Sequence, residues 1–370
     1  MKKRYCTVIL AALMLSVPAL ALWKLPLEAQ GKHSGTLMNE DVTAKVGLIA
    51  GTIRSTLNRL DKNSILLIKP GSNEFHIYSS LPDNKTLQTR FTRKDWGTWN
   101  IGGWYVTDDG NIPPKSAQLL AGGGSDWEYV FRVSGRPDSG VLEFSGGNHG
   151  KELLRDLRFI DPVTGAQLPI AINQRIRLKK LKIIEDTSLC LDYNLQKKYA
   201  DVRRIYTVYP AKITLDTEFR FTSEVYMGTS YVCMLPVTKS NGRNIMFKDT
   251  GNIYTTPPEG FTRTSGGYEH YIGNEKTTSV SIWGDSGTAY RFWVWIENSG
   301  MIDNFSNKLK VFYWDLNKYG NKLYFSKYDS SSPQKISAGT QWLNRQGWEL
   351  QVSQPATRPA RLIRGMLIRE

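Results

Sequence analysis

The stretch Ile65-Leu-Leu-Ile-Lys-Pro-Gly-Ser-Asn-Glu-Phe-His-Ile-Tyr78 reads as strand, turn, strand. Two apolar runs of strand length flank a cluster of turn-forming residues, the local signature of a hairpin. The same rhythm recurs down the chain: Trp104-Tyr-Val, Trp127 to Val133, Val141 to Phe144, Arg175 to Ile184, Arg204 to Tyr209, Lys212 to Leu215, Glu218 to Thr222 and Tyr231 to Leu235. It continues through Thr278 to Trp283, Tyr290 to Ile296, Leu309 to Trp314, Lys322 to Phe325, Trp348 to Val352 and Leu362 to Ile368. Helices do not alternate with these strands, so an all-β fold follows, a jelly-roll-like β-sandwich. One window departs from the pattern. Val46, Ile49, Ile53, Leu57 and Leu60 recur at three and four, which predicts a short N-terminal amphipathic helix despite Gly47 and Gly51.

The 370 residues suffice for a large core. Lys2, Lys3 and Arg4 precede an apolar run from Val8 to Val17, closed by Ala19-Leu20-Ala21. This is the layout of a secretory leader over residues 1–21 and predicts a periplasmic or secreted protein. Residues 22–40 read as an irregular lead-in. Residues 41–370 read as one large sandwich domain, with a subdivision near 200 left open by the polar segment Leu191 to Ala200. No later stretch reaches the roughly 20 apolar residues of a transmembrane helix. Once Cys6 leaves with the leader, Cys190 and Cys233 remain, and an oxidising compartment predicts a disulfide between them. The net charge of +14 favours a polyanionic partner, and export argues for acidic polysaccharide or another glycan over nucleic acid.

Chemistry is densest at Phe144-Ser-Gly-Gly-Asn-His-Gly-Lys-Glu152. Glycines let the backbone turn sharply and approach a ligand. His149 can serve as a base near neutral pH, with Glu152 orienting it and Asn148 contacting substrate; the alternative is that Asn148 and His149 only cap backbone groups. The His-x-x-Glu spacing resembles the zinc motif of carboxypeptidase-like and aspartoacylase-like hydrolases. That resemblance implies a third ligand, for which His270 is the downstream candidate, but the strand-rich surroundings do not match an α/β fold.

Tyr226 and Tyr231 flank Gly228, whose bulging would turn both phenols to one groove despite their odd spacing. They join His149 and Glu152 as candidate catalytic residues, against the alternative of ordinary strand tyrosines. Trp96, Trp99 and Trp104 lie among glycines and are candidate sugar-stacking residues, with Arg155 a candidate for the sugar carboxylate. Trp293 and Trp295 share a strand face, as either a binding platform or core packing requires. The row Arg175, Arg177, Lys179 would line an exposed face, often no more than a protected sheet edge.

From Asp126 to Pro236 the order of Trp127 to Val133, the Gly-Gly-x-His-Gly-x-Glu element at Gly146 to Glu152, Phe159-Ile-Asp-Pro162 and Tyr226 to Pro236 resembles a group of exported and phage-tail-associated bacterial β proteins. That resemblance implies glycan binding or cleavage. The leading expectation is a carbohydrate-active protein acting on an acidic polysaccharide, as a lyase working by β-elimination without metal or cofactor. In it His149 or Tyr231 takes the C5 proton, and Tyr226 protonates the leaving oxygen. A hydrolase would instead need two carboxylates, Glu152 with Glu218 or Asp216. The rival is a non-catalytic glycan binder such as a two-domain fimbrial tip adhesin, whose second domain would lack one strand.

Overall fold

The computed structural model describes residues 60–370 except 138–140, 259–269, 286–288, 298–300, 302–310, 317–319, 329–332, 353–361, 364–365 and 368–370. The leader, the lead-in and the expected helix, except its last residue Leu60, lie outside the described residues. The remainder is a β-sandwich, with no α-helix among the described residues. The opening hairpin forms as read: Ile65–Gly71 pairs antiparallel with Glu74–Ser80.

Two large antiparallel sheets make up the sandwich. The first runs, in spatial order, His270–Glu275, Val311–Asp315, Asn321–Ser326, Val225–Val237, Gln118–Gly122, Trp99–Thr107, Thr86–Arg93, Glu74–Ser80, Ile65–Gly71 and Arg175–Leu178. Val130–Ser134 and Gln334–Ile336 also pair with Val225–Val237, and Glu143–Ser145 pairs with Val130–Ser134. The second runs Ile253–Thr255, Asn244–Phe247, Ser279–Trp283, Tyr290–Ile296, Gln341–Val352, Lys212–Phe221, Lys198–Tyr209, Leu181–Cys190 and Glu152–Ile160. Each sheet therefore draws strands from both halves of the chain. The polar segment after Cys190 is the turn of a hairpin within the second sheet.

Alternation decides what faces inward. In Lys212–Phe221, Ile213, Leu215, Phe219 and Phe221 are buried, and between them Thr214, Asp216, Glu218 and Arg220 face out. Aromatic pairs bridge the two sheets: Phe75 with Phe159, Phe91 with Tyr206, Trp104 with Phe292, Trp127 with Trp348 and Tyr129 with Phe219. Their centroid separations fall in the range of favourable aromatic contacts, each contributing about 0.5–1.5 kcal/mol beyond its buried area.

The same alternation carries an arginine inward. Val202, Arg204, Tyr206 and Val208 share the buried face of Lys198–Tyr209, and the Arg204 side chain is wholly enclosed. Its Nη2 lies 2.6 Å from Glu185 Oε2 and 3.7 Å from Glu152 Oε1. Glu185 accepts the backbone N–H of Trp99 at 2.8 Å, across the sandwich. Glu128 accepts the backbone N–H of Ile101 at 2.7 Å and the Tyr206 hydroxyl at 3.1 Å. Buried charges are costly unless paired, and this network also ties one sheet to the other.

Cys190 and Cys233 are both free, correcting the expected disulfide. Cys190 ends a strand of the second sheet while Cys233 lies within one of the first, each fixed by its own ladder.

Candidate functional site

The glycine-rich loop is a tight turn built around one carboxylate. Gly146 N–H donates to Gly150 O at 2.8 Å, and His149 N–H donates to Gly146 O at 3.1 Å, closing a short 3-10 turn over Gly147–His149. Asp126 Oδ1 accepts the backbone N–H of Asn148 at 2.5 Å, and the Asn148 amide donates to Gly124 O. Gly147 has φ of +55°, and a Cβ there would run into the Asp126 carboxylate and, at 2.9 Å, into Tyr129 O. Space and conformation both demand glycine at this position. Asn148 thus braces the loop.

His149 and Glu152 leave this loop in opposite directions. The His149 side chain is 40 % exposed and stacks on Phe144, with centroids 4.2 Å apart and planes inclined by 21°. Glu152 begins the next strand as a fully buried residue. Its carboxylate accepts the hydroxyls of Tyr129 at 2.5 Å and Thr187 at 2.7 Å, within the Arg204 cluster. The expectation that Glu152 orients His149 is corrected: strand alternation turns it into the core. The zinc pairing of His149 with Glu152 fails for the same reason. The side chain of His270 lies outside the described residues.

What surrounds His149 instead comes from the preceding strand, a loop and more distant strands. Asp126 lies 4.0 Å from His149 Nε2 and 3.9 Å from Lys322 Nζ, which also donates to Ser125 Oγ at 2.9 Å. The Arg132 guanidinium sits 4.5 Å from the Phe144 centroid. Phe144, Tyr231 and Trp314 pack on a cluster of Val130, Met234, Phe312 and Tyr324 on the outer side of the first sheet. Tyr231 and Tyr324 approach to 4.4 Å between centroids, and Lys322 Nζ lies 4.9 Å from the Tyr324 ring. Burial holds the His149 imidazolium below its ordinary range; Asp126 opposes this, while Lys322 and Arg132 add to it. A neutral imidazole results at neutral pH. Burial likewise lowers Lys322, against the pull of Asp126 and Glu128.

The expected bulge in Val225–Val237 is present. Its pairing with Val130–Ser134 shifts by one residue between Met227 and Ser230, so Tyr226 and Tyr231 stand opposite Ser134 and Val130 on one face. They are nonetheless about 13–16 Å apart along the strand. Tyr226 donates to Glu224 at 3.0 Å, and Glu224 is paired with Lys335. Tyr231 therefore joins His149 in the aromatic patch and Tyr226 does not.

The tryptophans divide similarly. Trp99 and Trp104 are buried between the sheets, which corrects their expected contact with a ligand: the strand bulges at Gly102, and this turns both rings inward despite their odd spacing. Trp96 remains partly exposed, within reach of Gly150, where the exposed Tyr193 also lies. Arg155 is bound to Asp201 at 2.8 Å, two strands away within the second sheet.

The residues missed in the sequence are Asp126, Arg132, Lys322 and Tyr324. A faint signal exists in the pairs Val130 and Arg132, Phe312 and Trp314, and Lys322 and Tyr324, each spaced by two on a strand. Only the strand order unites them.

No family model matches the chain, and no curated protein matches it. Among solved structures it is similar to the galactosidase domain of an α-galactosidase–sucrose kinase, with a TM-score of 0.41 and 10 % identity over 78 % of this chain and 42 % of that one. An α-galactosidase from Lactobacillus brevis matches with a TM-score of 0.39 and 8 % identity, over 78 % of this chain and 39 % of that one. An aldose epimerase homologue from C. elegans matches with a TM-score of 0.34 and 9 % identity, over 72 % of this chain and 96 % of that one. The chain spans about two fifths of the length of the two galactosidase chains.

Proposed function

We propose that this chain is an exported glycan-binding protein that holds an acidic sugar on the outer face of its first sheet, around Phe144, His149 and Tyr231. The observation that carries the proposal is the junction of aromatic rings with cations: the part-exposed His149 on Phe144, Arg132 above the same Phe144, and Lys322 beside the buried Tyr324. A pyranose stacks its apolar face on such rings, and a carboxylate meets the guanidinium in a bidentate geometry. The net charge of +14 supports a polyanionic partner. The leader-like segment supports export.

A second reading, β-elimination, is favoured by one specific observation: the lowered His149 is neutral at neutral pH, as a base must be, and lies near cations that would neutralise a uronic carboxyl. Here His149 takes the C5 proton and Tyr231 protonates the leaving oxygen, without Glu152 or Tyr226. The adhesin version has less support, since both sheets interleave strands from both halves of the chain.

Affinity electrophoresis in gels containing alginate or polygalacturonate tests binding. Retardation of the wild type and its loss in Arg132→Ala and Phe144→Ala is the expected result. Unretarded migration in both polymers would overturn the proposal. Ultraviolet absorbance of the unsaturated product, measured on the same polymers, distinguishes lyase from binder.

A further inference from the structure

The outer face of the second sheet carries a groove of about 560 Å³, remote in strand order from the His149 patch. Its apolar lining is Ile205 and Leu343, the latter 61 % exposed. Charged side chains stand around these two, and they pair among themselves. Arg345 binds Asp216 at 2.5 Å and Glu297 at 3.4 Å, and Arg203 binds Asp186 at 2.7 Å. Glu218, a further lining carboxylate, is bound by Arg220 at 2.8 Å.

The register extends this face into an aromatic platform. Arg345 stands beside Asp216, and two residues along the same strand Gly347 stands between Trp295 and Thr214. The Trp295 indole occupies the space that a Cβ on residue 347 would fill, with Cε2 only 2.6 Å from that position. Glycine is needed there for space: it lets the indole lie down on the sheet. Trp293 follows, its centroid 4.9 Å from that of Trp295 and its ring inclined by 35°. Lys212 Nζ stands 5.0 Å from the Trp295 ring. Both tryptophans are partly exposed. They point away from Phe292 and Val294, which fill the core.

We infer that this face is a second glycan site, one for a neutral chain. Stacked indoles match the apolar faces of pyranose rings. Carboxylates and guanidiniums already neutralised by one another offer both acceptors and donors to hydroxyl groups. The lining carboxylates Asp216, Glu218 and Glu297 already occupy Arg345 and Arg220, which leaves these guanidiniums little charge to offer a polyanion, so the occupant differs in charge from that of the His149 patch. The protein would then hold two kinds of polysaccharide on opposite faces of one sandwich.

The test is native affinity electrophoresis in gels containing hydroxyethyl cellulose, galactomannan or xylan. The wild type should be retarded by at least one of these. Trp295→Ala and Leu343→Asp should each weaken that retardation tenfold or more, while Phe144→Ala leaves it unchanged. Leu343 is largely exposed, so its variant reports on the face even where Trp295→Ala impairs folding; thermal melts identify that case. Three results would overturn the inference: no retardation in any neutral polymer, equal retardation of wild type and Leu343→Asp, or retardation that follows Phe144. Sedimentation showing that Leu343→Asp turns a dimer into a monomer would instead assign the face to self-association. Failure here leaves the acidic-sugar proposal standing, because the polymers and the variants are different.

Discussion

His149 and Glu152 are three residues apart, and the fold treats them as members of two different systems. His149 stays at the surface, on Phe144 and beside Asp126, where water and ligand can reach it. Glu152 enters the sandwich and joins Glu128, Glu185, Tyr129, Tyr206 and Arg204, a cluster with no exposed member. The difference shows how a compact motif is divided by the element that follows it. The loop positions His149 through its own hydrogen bonds, whereas the alternation of Glu152–Ile160 sends the first carboxylate of that strand inward.

The two systems should break in different ways, and the largest effect is expected inside. Arg204→Met leaves the Glu152 carboxylate buried without its cation and deprives the Glu185 carboxyl of its partner, a loss of about 3–5 kcal/mol by the usual cost of breaking a buried pair. Urea unfolding would show it as a lowered midpoint.

Next comes the pH dependence. Burial pushes the Glu185 carboxyl up to about 8, outweighing the attraction of Arg204, with Glu152 and Glu128 adding to the rise. A raised carboxyl keeps its proton in the folded state where the unfolded chain has lost it. Stability is therefore expected to fall as pH rises from about 4.5 towards 8, by roughly a few kcal/mol in all. Glu185→Gln should flatten that slope, which melting curves at pH 5, 6, 7 and 8 would reveal. An unchanged slope in the variant would count against this role.

Smaller again is the effect of Gly147→Ala. Its φ of +55° and the closeness of Asp126 and Tyr129 O predict a loss of about 1–3 kcal/mol. Because the Asp126 contact also supports Asn148, acidic-glycan affinity should fall with it. Phe144→Ala at the surface should cost the least stability, with its effect concentrated on binding.

The fold was legible because its signals are local. Alternating runs and turn clusters mark strands wherever one face is buried, and the bulge at Gly228 could be read from the odd spacing of Tyr226 and Tyr231. The site was half legible. His149 and Tyr231 stand in one aromatic patch, but Asp126 reaches it from a loop, Arg132 from the strand that follows, and Lys322 from a strand far away in sequence. Trp99 and Trp104 misled because nearby glycines resemble loop signals. Here Gly102 and Gly103 lie within a strand, and Gly103 and Gly122 meet at so close an approach that neither has room for a side chain. Arg204 was visible in the alternation of Val202, Tyr206 and Val208, yet a charge at an inward position is rare enough to pass for a strand edge.

Under the proposed function, the binding chemistry belongs to the His149 side of the motif and the architecture to the Glu152 side. Calorimetric titration of an oligogalacturonate into wild type, Phe144→Ala and Glu152→Gln, each first characterised by its melting temperature, tests this most directly. Phe144→Ala is expected to melt close to wild type and lose about tenfold or more in affinity, while Glu152→Gln melts lower and keeps its affinity within about twofold. Loss of affinity in Glu152→Gln with its stability intact, together with unimpaired binding by Phe144→Ala, would contradict it.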